Sequence, residues 1–293
     1  MTETDQAMRH QVTFEGVQGI GLTADLWEPD GPQGTVLLMH GGGQTRHSWA
    51  RTARRLAARG WRAVTLDARG HGDSAWAPDG VYTLDAMVGD LLRTVEALGE
   101  PPVVIGASMG GRTALVAAGE NPATIAGLVL VDIAPRLDPA GQARVRAFMR
   151  SAPNGFASLE DVAEEVRAYN PRRRPASGLE GLKKNVRLRE DGRWYWHWDP
   201  DFLSFTDDPA NTSEERMSDA ARRVTAPTLL IRGRRSDMVT AEAASELLAL
   251  IPNARLVEVP AGHMIAGDDN DVFTQEVHEF LATAAASGAT PTG

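Results

Sequence analysis

Val103-Val104-Ile105-Gly106-Ala107-Ser108-Met109-Gly110-Gly111-Arg112 is the stretch that decides the fold. A short apolar run rich in β-branched residues ends in Gly-Ala-Ser-Met-Gly-Gly and passes directly into Thr113-Ala114-Leu115-Val116-Ala117-Ala118. That pattern predicts strand, sharp turn and helix. The backbone at Ser108 in such a turn is strained, so the residues two before and two after it must be small, and Gly106 and Gly110 are. The turn lifts the Ser108 hydroxyl into open space at the positive end of the helix behind it. Taken alone, the stretch suits an inert serine as well as a nucleophile, and the flanking sequence decides between them.

Working outward, apolar runs alternate with amphipathic ones. Strands are expected at 11–16, 23–28, 35–40, 62–68, 102–107, 125–133, 227–231 and 255–259, with the first two as edge strands. Helices are expected at 47–58, 83–98, 241–250 and 271–284. Strands that alternate with helices imply a mostly parallel, twisted sheet with helices on both faces, an α/β class fold. The alternation stops between Ala134 and Val224, where helical patterns recur near 139–150, 158–169, 177–189 and 213–223. Ser158-Leu-Glu-Asp161 has the spacing of a capping box. The expected organisation is therefore a core of residues 1–136 and 224–285, an inserted helical cap at 137–223 and a tail at 286–293.

Composition narrows the function. The 293 residues carry a formal net charge of −9, which argues against a nucleic-acid partner and against an anionic membrane surface. Cysteine is absent, so disulfides, thiolate catalysis and Cys-ligated metals are excluded. The polar start lacks an apolar signal core and no run of about 18 apolar residues exists, so a cytoplasmic protein is expected.

In open parallel sheets, ligands bind beyond the carboxyl ends of the strands. Four features fall there: Gly41-Gly42-Gly43, Ser108, Asp237 and His263. Asp132 also ends a strand, and its alternative reading is an anchor at the entry to the cap. The segments HGGGQTRHSW at 40–49, DARGHGDS at 67–74, GASMGG at 106–111, VDIAP at 131–135, IRGRRSDMV at 231–239 and PAGHMIAGDD at 260–269 together resemble the α/β-hydrolase superfamily. The resemblance implies an eight-stranded sheet and a catalytic triad of Ser108, Asp237 and His263, although some members place the acid where Asp132 stands. It also implies an oxyanion hole from the backbone N–H groups of Met109 and Gly42.

A serine hydroxyl is a poor nucleophile until a base takes its proton, and an imidazole can do so at neutral pH. Serine rather than aspartate at position 108 indicates acyl transfer through an acyl-enzyme. The expected substrate is a small or medium carboxylic ester, with a lactone or thioester as close variants. Gly43, Arg46, Trp194 and Trp196 are candidate substrate contacts, Arg46 for a carboxylate and the tryptophans as one apolar face of an extended segment. His40 and His71 are expected to orient loops. A C–C hydrolase of a diketone acid, a perhydrolase or haloperoxidase-like activity, and a hydrolase-fold binding protein are the alternatives. No metal or other cofactor is implied, because no histidine pair has ligand spacing and the triad is cofactor-independent.

Overall fold

The computed structural model describes residues 8–171, 179–203, 208–263 and 271–288. Eight strands form one sheet: β1 Arg9–Glu15, β2 Gly21–Trp27, β3 Thr35–Met39, β4 Arg62–Leu66, β5 Val103–Ala107, β6 Gly127–Val131, β9 Thr228–Gly233 and β10 Ala254–Val259. β7 Val186–Leu188 and β8 Trp194–Trp196 form a separate two-stranded antiparallel hairpin. The sheet order is β1-β2-β4-β3-β5-β6-β9-β10. Only the β1–β2 and β2–β4 pairs run antiparallel. Among the two N-terminal strands only β1 is an edge, because β2 pairs with β4 on its other side.

The central strands are apolar throughout because both faces are covered. β3, β5 and β6 are buried at every residue. Leu37, Val104 and Leu128 point to one core cluster while Leu38, Ile105 and Val129 point to the other, the alternation that a strand imposes. Helices α1 Ala50–Ala57, α2 Leu84–Leu98, α3 Met109–Glu120, α7 Ala241–Leu250 and α8 Asp271–Gly288 belong to the core layers. Thr83 caps α2 by accepting from the Ala86 amide at 3.1 Å. The last helix continues through Gly288, three residues into the stretch expected as a tail.

Between β6 and β9 lie α4 Pro139–Met149, α5 Leu159–Tyr169, the β7–β8 hairpin and α6 Glu214–Arg223. The Ser158–Asp161 capping box is present. A helix expected at 177–189 is not: a short 3-10 turn at Leu179–Lys184 leads into β7. The reason is pairing. Gly192, at φ 77°, closes a hairpin that sets Val186 opposite Trp196. α6 lies close enough to α3 that a Cβ on Gly119 would come within 2.1 Å of the Ala220 carbonyl oxygen. Among the described residues no helix is long and apolar enough to cross a membrane.

Candidate active site

The turn between β5 and α3 carries Ser108 at φ 47° and ψ −109°, a conformation that a residue with a side chain holds only under tertiary constraint. Two glycines make it feasible. A Cβ on Gly106 would meet the Gly110 backbone at 2.6 Å, and one on Gly110 would meet Met39 at 2.7 Å. The Ser108 amide donates to the Val131 carbonyl at 3.1 Å, which ties the turn to the end of β6. There Asp132 is fully buried and, at φ 50°, also left-handed.

His263 follows β10, and its Nδ1 lies 2.7 Å from Asp132 Oδ2. Asp132 is held by two further donors: the Gly233 amide at 3.0 Å to Oδ1 and the Ser236 hydroxyl to Oδ2. Ser236 Oγ accepts from the Met238 and Val239 amides, both at 3.1 Å, so its single proton is left for the carboxylate. An ionised carboxylate on Nδ1 keeps that nitrogen protonated and leaves Nε2 as the basic one. Among the described residues neither His263 Nε2 nor the Ser108 hydroxyl has a hydrogen-bond partner.

The expectation for Asp237 is corrected. Its side chain is partly exposed and pairs with Arg144 of α4, and its carbonyl packs against Gly141 of the same helix. Residue 237 lies four positions past β9, too far along the loop, and Ser236 takes the place beside Asp132. Asp132 thus occupies the position on the imidazole, and not merely an anchoring one.

The Gly41–Gly43 loop follows β3 and borders Ser108, since a Cβ on Gly41 would lie 3.4 Å from that of Ser108. The Gly41 amide donates to Gln44 Oε1 at 3.0 Å and the Gly43 amide to His71 Nε2 at 3.2 Å. Among the described residues the Gly42 amide has no partner. Nor has that of Met109, which as the first residue of α3 has no intrahelical acceptor. Both of these N–H groups are therefore unengaged among the described residues.

The profile of the family described as alpha/beta hydrolase fold matches residues 34–269 of the chain. The chain belongs to the alpha/beta hydrolase family. An esterase of Mycobacterium tuberculosis, Rv0045c, is 29% identical over 282 residues, covering 92% of this chain and 89% of that protein. The mouse sn-1-specific diacylglycerol lipase ABHD11 is 30% identical, covering 89% and 85%. The crystal structure of an alpha/beta hydrolase from Novosphingobium aromaticivorans superposes with a TM-score of 0.81 at 26% identity, covering 94% of this chain and 99% of that one.

In this alpha/beta hydrolase the other sequence candidates divide. Arg46 is buried rather than free for a substrate: its guanidinium meets Asp67, Asp73 at 2.7 Å and Asp25 at 3.2 Å. Those carboxylates hold its pKa above the ordinary arginine value against the opposing effect of burial. Gly43 has both polar groups engaged, its amide by His71 and its carbonyl by His197 at 3.4 Å. Trp194 pairs through its backbone with Phe156, and Trp196 is buried with its indole N–H on the Ser151 carbonyl at 3.2 Å. Both belong to the packing of the insertion itself. The insertion reaches the glycine loop instead through Trp198, whose ring lies 3.4 Å from a Cβ on Gly43, and Met149, whose sulfur lies 3.4 Å from one on Gly42. Sequence reading missed the placement of both against this loop, and that of Ser236 beside Asp132. Trp198 continues the alternate spacing of Trp194 and Trp196 along the chain, but only the fold puts it against the loop.

His40, His71 and His197 form a buried cluster of rings with centroids 5.2 and 5.7 Å apart. Each accepts from a backbone amide, of Ala68, Gly43 and Gly72 respectively. Burial lowers all three pKa values, that of His71 to about 3. The folded protein therefore keeps them neutral where the unfolded chain takes up protons. The unfolded state binds more protons below about pH 6.5, so stability falls as pH drops from there towards the folded values. For His71 we expect a loss approaching about 1.4 kcal/mol per pH unit below that point, with His40 and His197 acting in the same direction. A melting temperature that stays level between pH 7 and pH 5 would contradict this.

Proposed function

We propose that this protein is a serine hydrolase of small or medium carboxylic esters, acting through an acyl-enzyme on Ser108. The observation that carries the reading is the 2.7 Å contact between His263 Nδ1 and a buried Asp132, beside a strained serine turn. In the proposed mechanism Ser108 Oγ attacks the ester carbonyl carbon while His263 Nε2 takes its proton. Asp132 steadies the imidazolium. The oxyanion is held by the amides of Gly42 and Met109, a donor of this kind commonly contributing roughly 10²–10³ in rate. His263 then returns the proton to the departing alkoxide. Water, deprotonated by the same nitrogen, releases the acid and restores Ser108.

The insertion acts as the cap in this proposal, with Met149 and Trp198 as an apolar wall above the glycine loop. The names of the esterase and lipase relatives support ester cleavage. Lactones and thioesters offer the same acyl carbon to the same groups and belong to the same proposal. A C–C hydrolase of a diketone acid is disfavoured, because Arg46 is already committed to three carboxylates.

The test is reaction of the purified protein with a fluorophosphonate probe and with p-nitrophenyl esters of increasing acyl length. The expected result is stoichiometric labelling at Ser108, with turnover that favours short and medium chains and is abolished by labelling. Saturable ester binding without labelling or turnover would overturn the proposal in favour of a binding protein.

A further inference from the structure

The glycine loop beside Ser108 is held from two sides, and one of the holders comes from the insertion. His197 follows β8, between Trp196 and Trp198. Its own amide donates to the Asn185 carbonyl at 3.1 Å, which fixes it to the hairpin. Its Nδ1 accepts from the Gly72 amide at 2.8 Å, so the proton of the neutral ring resides on Nε2. Nε2 faces the Gly43 carbonyl at 3.4 Å, a long hydrogen bond. From the core, His71 accepts from the amide of the same Gly43 and turns its Nδ1–H to the Arg69 carbonyl at 3.2 Å. Gly43 is thus clamped at both its amide and its carbonyl, at φ 72°.

The Gly43 amide lies in the peptide unit next to the one that carries Gly42 N–H, and the Gly43 carbonyl one unit further on, so the two bonds together fix the course of the loop at Gly42. The Gly43 and Gly41 amides are both committed, whereas the Gly42 amide, in the loop that borders Ser108 through Gly41, has no partner among the described residues. A donor catalyses only if its direction is set before charge develops.

We propose that His197 is a positioning residue of the oxyanion hole: the insertion, through its Nε2–H on Gly43, sets the direction of the Gly42 amide. This makes the cap part of the catalytic centre and not merely a cover. The inference rests on the ester-hydrolase reading for its kinetic test.

Two variants separate the bonds. The side-chain oxygen of His197→Asn reaches the position of Nδ1 and keeps the Gly72 bond, but nothing reaches Gly43. In His197→Gln the amide nitrogen reaches the position of Nε2 and keeps the Gly43 bond, while Gly72 loses its acceptor. We expect His197→Asn to lower kcat for a p-nitrophenyl ester about 10–30-fold with KM changed less than threefold, within the cost of a misdirected oxyanion donor. Affinity for a trifluoromethyl ketone should fall by the same factor. His197→Gln should stay within threefold of wild type. A merely structural histidine predicts the opposite order, because the shorter bond is the one to Gly72. Equal losses in both variants, no loss in His197→Asn, or an effect confined to KM would overturn the proposal.

Backbone hydrogen exchange over residues 41–45 gives a reading that does not depend on activity. Exchange should be faster in His197→Asn than in wild type and His197→Gln, and unchanged exchange in His197→Asn would overturn the proposal. If wild type hydrolyses no ester, or Ser108→Ala retains full turnover, the ester-hydrolase reading fails. The exchange result still decides the role of His197.

Discussion

Ser108→Ala lowers kcat for a p-nitrophenyl ester by about 10⁵–10⁶-fold, the scale expected when a nucleophile that works as a unit with its base is removed. The fold should be unaffected. The Ser108 hydroxyl has no hydrogen-bond partner among the described residues, so its loss strands no buried group. Alanine keeps the Cβ, so the strain at φ 47° and ψ −109° is the same in both proteins. The melting temperature is therefore expected within about 2 °C of wild type, as for a substitution that removes no buried contact. Steady-state turnover together with a melting curve checks both parts. Retention of even a tenth of the wild-type rate would remove Ser108 from the chemistry.

Asp132→Asn should lower kcat by about 10⁴-fold, the size of effect known for an amide in place of a triad carboxylate. The carboxylate accepts from Gly233, Ser236 and His263 at once. An amide offers a donor where two donors already point, and it favours the wrong tautomer of His263. Asparagine is tolerated in left-handed backbone, so φ 50° at this position is no obstacle to folding. Asp237→Asn should change kcat less than twofold, because it removes only a half-exposed pair with Arg144. The two variants measured side by side decide the acid. A damaging Asp237→Asn with a mild Asp132→Asn would show that the loop rearranges in solution to bring residue 237 to His263.

Much of the fold was legible because its signals are local. α7 is expected and found at 241–250, and the Ser158 capping box forms as its spacing predicts. Buried parallel strands announce themselves as unbroken apolar runs. The failures also have a physical pattern. The stretch at 177–189 carries a helical period, yet its later half becomes a strand because a hairpin partner lies beyond Gly192. Short segments do not say which partner wins. Arg46 reads as a solvated or ligand-facing charge until β2 and the loop after β4 bring Asp25, Asp67 and Asp73 around it.

The sequence by itself determined the layered α/β architecture, the strained turn that presents Ser108, the imidazole at 263 and the glycine loop. Each rests on residue types within a few positions of one another. The tertiary structure alone decided which carboxylate meets His263, since Asp132 and Asp237 follow neighbouring parallel strands and differ only in how far past the strand end they fall. It alone decided, too, that Trp198, Met149 and His197 reach the glycine loop. Their distance from that loop along the chain is erased only when the insertion packs on the core.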